Sequence, residues 1–298
     1  MSPRLLKICV SLAVLGLMLW WSDPAAVAAQ LRGADPMWII VALASLTLAT
    51  VSMARRWQLV ARCFDITLGY RVALREYYLA QLINTALPGG VAGDVTRAVR
   101  LHGTSGLALA AQSVAAERLL GQIALLGLMG AGFAVALVIP GGPHWAGLAW
   151  GTLAVLLAAA VVVFALARTH TATGRFLCTT LCGLRRPEMV VHGVITTLCL
   201  ILGFYAATRA VGTAIPPSGW ATLIPLVLCA MLIPLSVGGW GWREGAAAAL
   251  FPLVGAPASA GIAAGIAYGV VAFIAVLPGA LILITQTYSQ PLPIKKKA

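Results

Sequence analysis

Apolar stretches of about 20 residues recur along the whole chain, each long enough to cross a hydrocarbon core of roughly 30 Å as one helix. They fall at about 5–22, 37–53, 112–140, 148–167, 189–210 and 258–286. A β-barrel is excluded, because barrel strands alternate polar and apolar side chains over about ten residues. The chain of 298 residues carries only 20 Lys and Arg and 8 Asp and Glu, at 61% hydrophobic content. A soluble domain needs roughly a quarter of its residues charged to cover its surface. The longest polar connections, 54–76 and 168–188, are too short to enclose a core of their own. The expected fold is an all-α polytopic integral membrane protein, with residues 1–298 forming one transmembrane domain.

The formal charge of +12 has to be read by position. Arg4 and Lys7 precede the first span. Arg55, Arg56, Arg62, Arg71, Arg75, Arg97 and Arg100 lie in or just past one connection, and Arg168, Arg175, Arg185 and Arg186 in another. Lys295, Lys296 and Lys297 close the chain, whereas the opposite-side connections hold Arg32 and Arg209. This asymmetry follows the positive-inside rule. It predicts cytoplasmic N- and C-termini in a protein whose expected location is a bacterial-type plasma (inner) membrane, and it makes the arginines orientation signals and lipid-headgroup contacts. Nucleic acid is not an expected partner. Residues 1–29 also satisfy a cleavable signal peptide, but Trp20-Trp21 reads as an interfacial belt and favours a retained span. Neither the six cysteines nor the four histidines show metal-ligand or disulfide spacing.

Two further hydrophobic regions, about 76–102 and 219–255, are each broken in the middle. The first break contains Asn84, Pro88, Gly89, Gly90 and Gly93; the second contains Pro234, Ser236, Gly238, Gly239 and Gly241. Proline cannot continue a helical ladder and adjacent glycines release the backbone. Backbone freed at membrane depth survives only beside protein or a wet cavity. The flanking charges predict that the two hairpins enter from opposite faces and meet near the midplane, as in an inverted repeat. The expected count is six full spans plus two re-entrant hairpins, or eight spans if each hairpin is a short crossing. Gly127, Gly130 and Gly132, and likewise Gly261, Gly265 and Gly269, carry no neighbouring charge and read as helix-contact glycines.

Asp94, Glu117 and Glu244 lie in or against hydrophobic runs, with Glu76 at an edge. Charges at membrane depth are expensive and face a cavity or a partner, and Arg97, Arg118 and Arg243 are the available cations. Asp94 and Arg97 share a helix face at i,i+3. Glu117-Arg118 is expected to open the third span, and Arg243-Glu244 the short helix after the second break. These pairs fit either a structural salt-bridge network or a binding path for an anionic headgroup.

Asn84-x-x-x-Pro88-Gly89-Gly90-x-x-Gly93-Asp94-x-x-Arg97, Glu117-Arg118-x-x-Gly121, Pro234-x-Ser236-x-Gly238-Gly239-x-Gly241-x-Arg243-Glu244-Gly245 and Leu277-Pro278-Gly279 resemble the lysylphosphatidylglycerol synthase transmembrane family. The resemblance covers about residues 5–286. It implies a helical membrane fold with broken elements and a role in moving lipids between leaflets. It also implies that Asp94, Arg97, Glu117, Arg118, Arg243 and Glu244 line a headgroup path shaped by Asn84, Pro88, Gly89, Gly90, Ser236, Gly238 and Gly239. The soluble acyltransferase-like domain of two-part members is not among these residues, so aminoacyl-lipid synthesis is not implied.

The leading expectation is a lipid flippase or translocase for an anionic or isoprenoid-linked headgroup, rather than an enzyme. No Gly-x-x-x-x-Gly-Lys loop is present in the sequence, so no nucleotide cofactor is expected. A membrane-embedded transferase using Asp23 and Asp35 on an outer loop is one alternative. A non-transporting partner of a separate lipid-biosynthetic enzyme is another.

Overall fold

The computed structural model describes residues 24–87, 90–138, 145–232 and 238–286, and every regular element among them is helical. In chain order these are α1 (Pro24–Arg32), α2 (Pro36–Arg62), α3 (Tyr70–Ala86), α4 (Ala92–Ser105), α5 (Leu107–Val138), α6 (Ala146–Ala167) and α7 (Ala172–Cys182). They continue with α8 (Pro187–Ala210), α9 (Pro217–Trp220), α10 (Leu223–Ala230), α11 (Trp242–Leu250), α12 (Ala258–Ala275) and α13 (Pro278–Gln286). Short 3-10 turns cover Gly183–Arg185 and Phe251–Val254. The protein is an all-α polytopic membrane protein.

Five helical stretches are long and apolar enough to cross a bilayer: Pro36–Arg62, Leu107–Val138, Ala146–Ala167, Pro187–Ala210 and Ala258–Ile284. They answer one for one to five of the six expected spans. The sixth, 5–22, lies outside the described residues, as do Asp23, the Lys295–Lys297 tail, and Pro88, Gly89, Pro234 and Ser236 of the two breaks. The last stretch bends at the Leu277-Pro278 step. There Val276 and Leu277 donate to Phe273 O and Ile274 O, in i→i−3 bonds that tighten the end of α12.

α2 runs well beyond the expected end at 53. Asp35 caps its start by accepting from the Met37 N–H at 2.8 Å, with Pro36 in the first turn. Its last turns bury Trp57, Leu59, Val60 and Ala61 in one core cluster. The arginines of this segment therefore belong to a helix and not to a loop. The second polar connection is likewise largely helical, since it contains α7.

α2 and α8 form the long antiparallel pair at the centre. At one end the Asp35 N–H donates to Ala210 O at 2.9 Å; at the other Arg55 faces Glu188 at 3.8 Å. The α3/α4 hairpin leaves from the Arg62 end and the α10/α11 hairpin from the Ala210 end, so the two enter from opposite ends of the bundle. None of these four helices is long and apolar enough to cross alone. α4, α10 and α11 hold 14, 8 and 9 residues, which at 1.5 Å per residue is about 21 Å at most. Both breaks are real interruptions of helix, and a re-entrant reading fits their lengths. Gly90 and Gly239 turn the chain with φ of +64° and +81°, values that a side chain disfavours. The tips meet: a Cβ placed on Gly238 would stand 3.6 Å from the Thr85 carbonyl oxygen.

Glycines also set the closest helix contacts. A Cβ on Gly93 of α4 would sit 1.9 Å from Ala80 O of α3, and one on Gly279 would sit 2.5 Å from Tyr78 O. Backbone cannot move aside as a flexible side chain can. Gly93→Ala is therefore expected to lower stability by about 1–3 kcal/mol, while Gly127→Ala, where a Cβ meets nothing within 4 Å, should change little. Unfolding midpoints of the two variants in detergent check the contrast, and equal midpoints would contradict this account of the hairpin.

Candidate functional site

The charged residues of the first hairpin come together because four elements converge on one carboxylate. Glu117 sits on α5 with 0% exposure. Its Oε1 accepts from Arg56 Nη2 of α2 at 2.7 Å, and its Oε2 from Arg97 Nη2 of α4 at 3.3 Å. Tyr77 of α3 donates its hydroxyl to both carboxylate oxygens at 3.2 Å. Arg97 also meets Asp94 one turn earlier at 3.1 Å, the i,i+3 pairing its spacing predicts. Its guanidinium carbon lies 4.4 Å from the Trp57 ring centroid and 4.6 Å from that of Tyr77, which places the cation on two aromatic faces. Gly121, one turn past Glu117, leaves space for Arg56, whose Nη2 a Cβ there would meet at 2.7 Å.

Glu117 and Arg118 do not pair with each other and do not open their helix. α5 begins ten residues earlier, at Leu107. Adjacent helical residues point about 100° apart. Accordingly Glu117 turns inward, and Arg118 reaches the other way to Asp94, with Nη2 at 2.9 Å from Oδ2. The Arg118 side chain is 44% exposed. Asp94 stands in the first turn of α4, where a carboxylate favours the helix dipole. The same turn is secured by Asn84, whose Oδ1 accepts from the Gly93 N–H at 2.7 Å.

The second break holds a separate pair. Arg243 Nε donates to Glu244 Oε1 at 3.0 Å, while Glu244 Oε2 accepts from the Gly241 N–H at 2.7 Å and so caps α11. The Arg243 guanidinium lies 4.8 Å from the Trp240 ring centroid and 5.6 Å from that of Tyr268. Room for this pair is made by α12. A Cβ on Gly269 would stand 2.2 Å from Arg243 Nη2, and one on Gly265 would stand 3.1 Å from Glu244 Cγ. The expectation that Gly265 and Gly269 have no charge beside them is thus corrected, because their charged neighbours arrive from a distant stretch of chain. Gly261 does serve a plain helix contact, against Ala247.

A cavity of about 470 Å³ lies where the hairpin tips meet. From the first break it is lined by Asn84, Thr85, Gly90 and Asp94, and from the second by Met231, Leu232, Gly238 and Gly239. α5 contributes Arg118 and Gln122, and apolar wall comes from α2, α8 and α12. Of the residues singled out from sequence, Asn84, Gly90, Asp94, Arg118, Gly238 and Gly239 face this space together. Arg97, Glu117, Arg243 and Glu244 do not; they are at most 1% exposed and form the struts behind it.

Sequence reasoning missed Arg56 and Tyr77 as members of the network. Arg56 was grouped with the orientation arginines, yet its side chain is 4% exposed. The readable signal was the resumption of apolar residues after it, in Trp57, Leu59, Val60 and Ala61. Arg100 is likewise tied to a partner, donating through Nε to Glu76 Oε2 at 2.6 Å.

The family model for the lysylphosphatidylglycerol synthase TM region matches residues 8–279. The chain belongs to this family. No curated protein matches it. In this member of the lysylphosphatidylglycerol synthase transmembrane family, the described site candidates divide between a buried ionic frame (Arg97, Glu117, Arg243 and Glu244) and a cavity lining (Asn84, Gly90, Asp94, Arg118, Gly238 and Gly239).

The frame predicts a stability phenotype. Glu117→Gln leaves Arg56 and Arg97 without their shared carboxylate, and removing one partner of a buried pair costs about 3–5 kcal/mol. A marked drop in unfolding midpoint, or loss of the monodisperse species in detergent, is expected. A midpoint matching wild type would mean that Glu117 does not hold the frame.

Proposed function

We propose that the protein is a membrane lipid translocase, in which a polar headgroup occupies the cavity between the hairpin tips while the acyl chains stay in the bilayer. The carrying observation is the cavity itself, with the Asp94–Arg118 salt bridge on its wall and apolar surface from three helices around it. Its volume lies within the roughly 300–1,000 Å³ of small-ligand sites. Hairpins entering from opposite ends support a site between the two faces, as in transporters of broken-helix design. Family membership supports a lipid-related role. The arginine-rich end, with Arg62, Arg71, Arg75, Arg175, Arg185 and Arg186, is the cytoplasmic one in this reading, by the positive-inside rule, and the membrane is a bacterial plasma membrane.

The transferase alternative gains no support from the described residues. Asp35, one of its two acidic candidates, is engaged as the cap of α2.

Purified protein in vesicles containing a fluorescent phospholipid, bleached by an impermeant reductant, tests the proposal. Wild type should expose inner-leaflet lipid faster than protein-free vesicles. Arg118→Gln, which alters the cavity wall but not the Glu117 frame, should slow it about tenfold or more, since a hydrogen bond to a charged group contributes roughly 1.5–3 kcal/mol. Wild-type rates equal to empty vesicles would refute translocation, and an unslowed Arg118→Gln would remove the cavity from the path.

A further inference from the structure

We propose that the cavity selects lipids whose headgroup is a phosphodiester with one net negative charge and a hydroxyl, and discriminates against zwitterionic and cationic headgroups; this rests on the translocase reading above. The argument is charge balance. Arg56, Arg97, Arg118 and Arg243 are set against Asp94, Glu117 and Glu244. Arg243 and Glu244 neutralise each other, and Glu117 with Asp94 compensates two of the three remaining arginines. One positive charge is left over, and among these arginines only Arg118 lines the cavity.

A surplus charge on the cavity wall acts on a headgroup at contact distance, and Coulomb energy rises as the separation and the effective dielectric fall. A headgroup carrying one negative charge neutralises the site. A zwitterion leaves the surplus in place, and a cationic headgroup adds a like charge, which is repulsive.

The hydrogen-bonding groups narrow the class further. Arg118 commits Nη2 to Asp94 and presents the rest of a planar fork from a partly exposed side chain. Asn84, with its Oδ1 fixed on the Gly93 N–H, keeps Nδ2 buried and without a partner. Guanidinium and amide donors together match the non-bridging oxygens of a phosphodiester. One helical turn beyond Arg118, Gln122 also lines the cavity and has a buried Oε1 without a partner, an acceptor for a headgroup hydroxyl. Burying such groups unpaired is costly, and a hydroxyl-bearing phosphodiester satisfies both.

The decisive experiment is the bleaching assay with three acyl-labelled probes in otherwise identical vesicles: phosphatidylglycerol, phosphatidylcholine and lysylphosphatidylglycerol. Phosphatidylglycerol should move at least about tenfold faster than the other two. Arg118→Gln should erase that preference, and Arg118→Lys, which keeps the charge and loses the fork, should retain part of it. Variants that merely fold poorly would slow all probes alike, so the ratio between probes is the readout. Equal rates for all three in wild type would overturn the charge matching while leaving translocation standing. A preference that survives Arg118→Gln would overturn the assignment of its source. No movement of any probe above protein-free vesicles would bring down the translocase reading, and this inference with it.

Discussion

One buried carboxylate sets the position of the first hairpin. Glu117 has no access to solvent, and its partners come from three other elements, Arg56 on α2, Tyr77 on α3 and Arg97 on α4. Charged groups away from water are costly unless they are paired and hydrogen-bonded, and both carboxylate oxygens of Glu117 are so engaged. The hairpin cannot slide along α2 or rotate about its own axis without breaking one of these contacts. The tip, with Asn84 holding the Gly93 N–H, is therefore delivered to a fixed place on the bundle, and the cavity forms around it.

The two ionic clusters differ in a way that assigns them different work. The Arg243–Glu244 pair is neutral, enclosed by α12 at Gly265 and Gly269, and covered by Trp240 and Tyr268. It closes one wall. The Glu117 cluster has an extra arginine and an open edge, since Arg118 leaves the frame to reach Asp94 on the cavity side. An enclosed neutral pair behind the cavity and a partly open arginine on its lining make an asymmetric environment, suited in the proposed reading to orienting a headgroup more than to enclosing an apolar ligand.

The five long helices, the two breaks and their opposite directions were legible in the sequence, because hydrophobic length, helix-breaking residues and flanking charge each leave a local mark. The pairing of charges was legible only within one helix turn. Asp94 and Arg97 meet as i,i+3 neighbours must, whereas Glu117 passes over adjacent Arg118 for Arg56, sixty-one positions away. Arg56 itself was hidden by a rule that usually holds, that arginines beyond a span mark its end. Here a buried acid allows the helix to carry an arginine inward, and only tertiary structure reveals it. Gly265 and Gly269 were misjudged for the same reason, since their neighbours Glu244 and Arg243 come from another helix.

These contacts also say which part of the molecule can move if lipid passes through it. α2 and α8 lie against each other over much of their length, and α12 lies against α8, so displacing any of them would uncover long seams at once. The described parts of the hairpin tips meet over less surface, although α11 lies closely against α12. They touch by backbone, at Gly238 against Thr85, and Gly239 closes on the flexible side chain of Met231. α11 is packed on α12 through Gly261 and Gly265, so any rearrangement in the proposed cycle is confined to the glycine turns at Gly90, Gly238 and Gly239. In the proposed translocation cycle, opening toward one face or the other would part Gly238 from Thr85, while Glu117 and its partners stay together and Arg118 stays on the cavity wall.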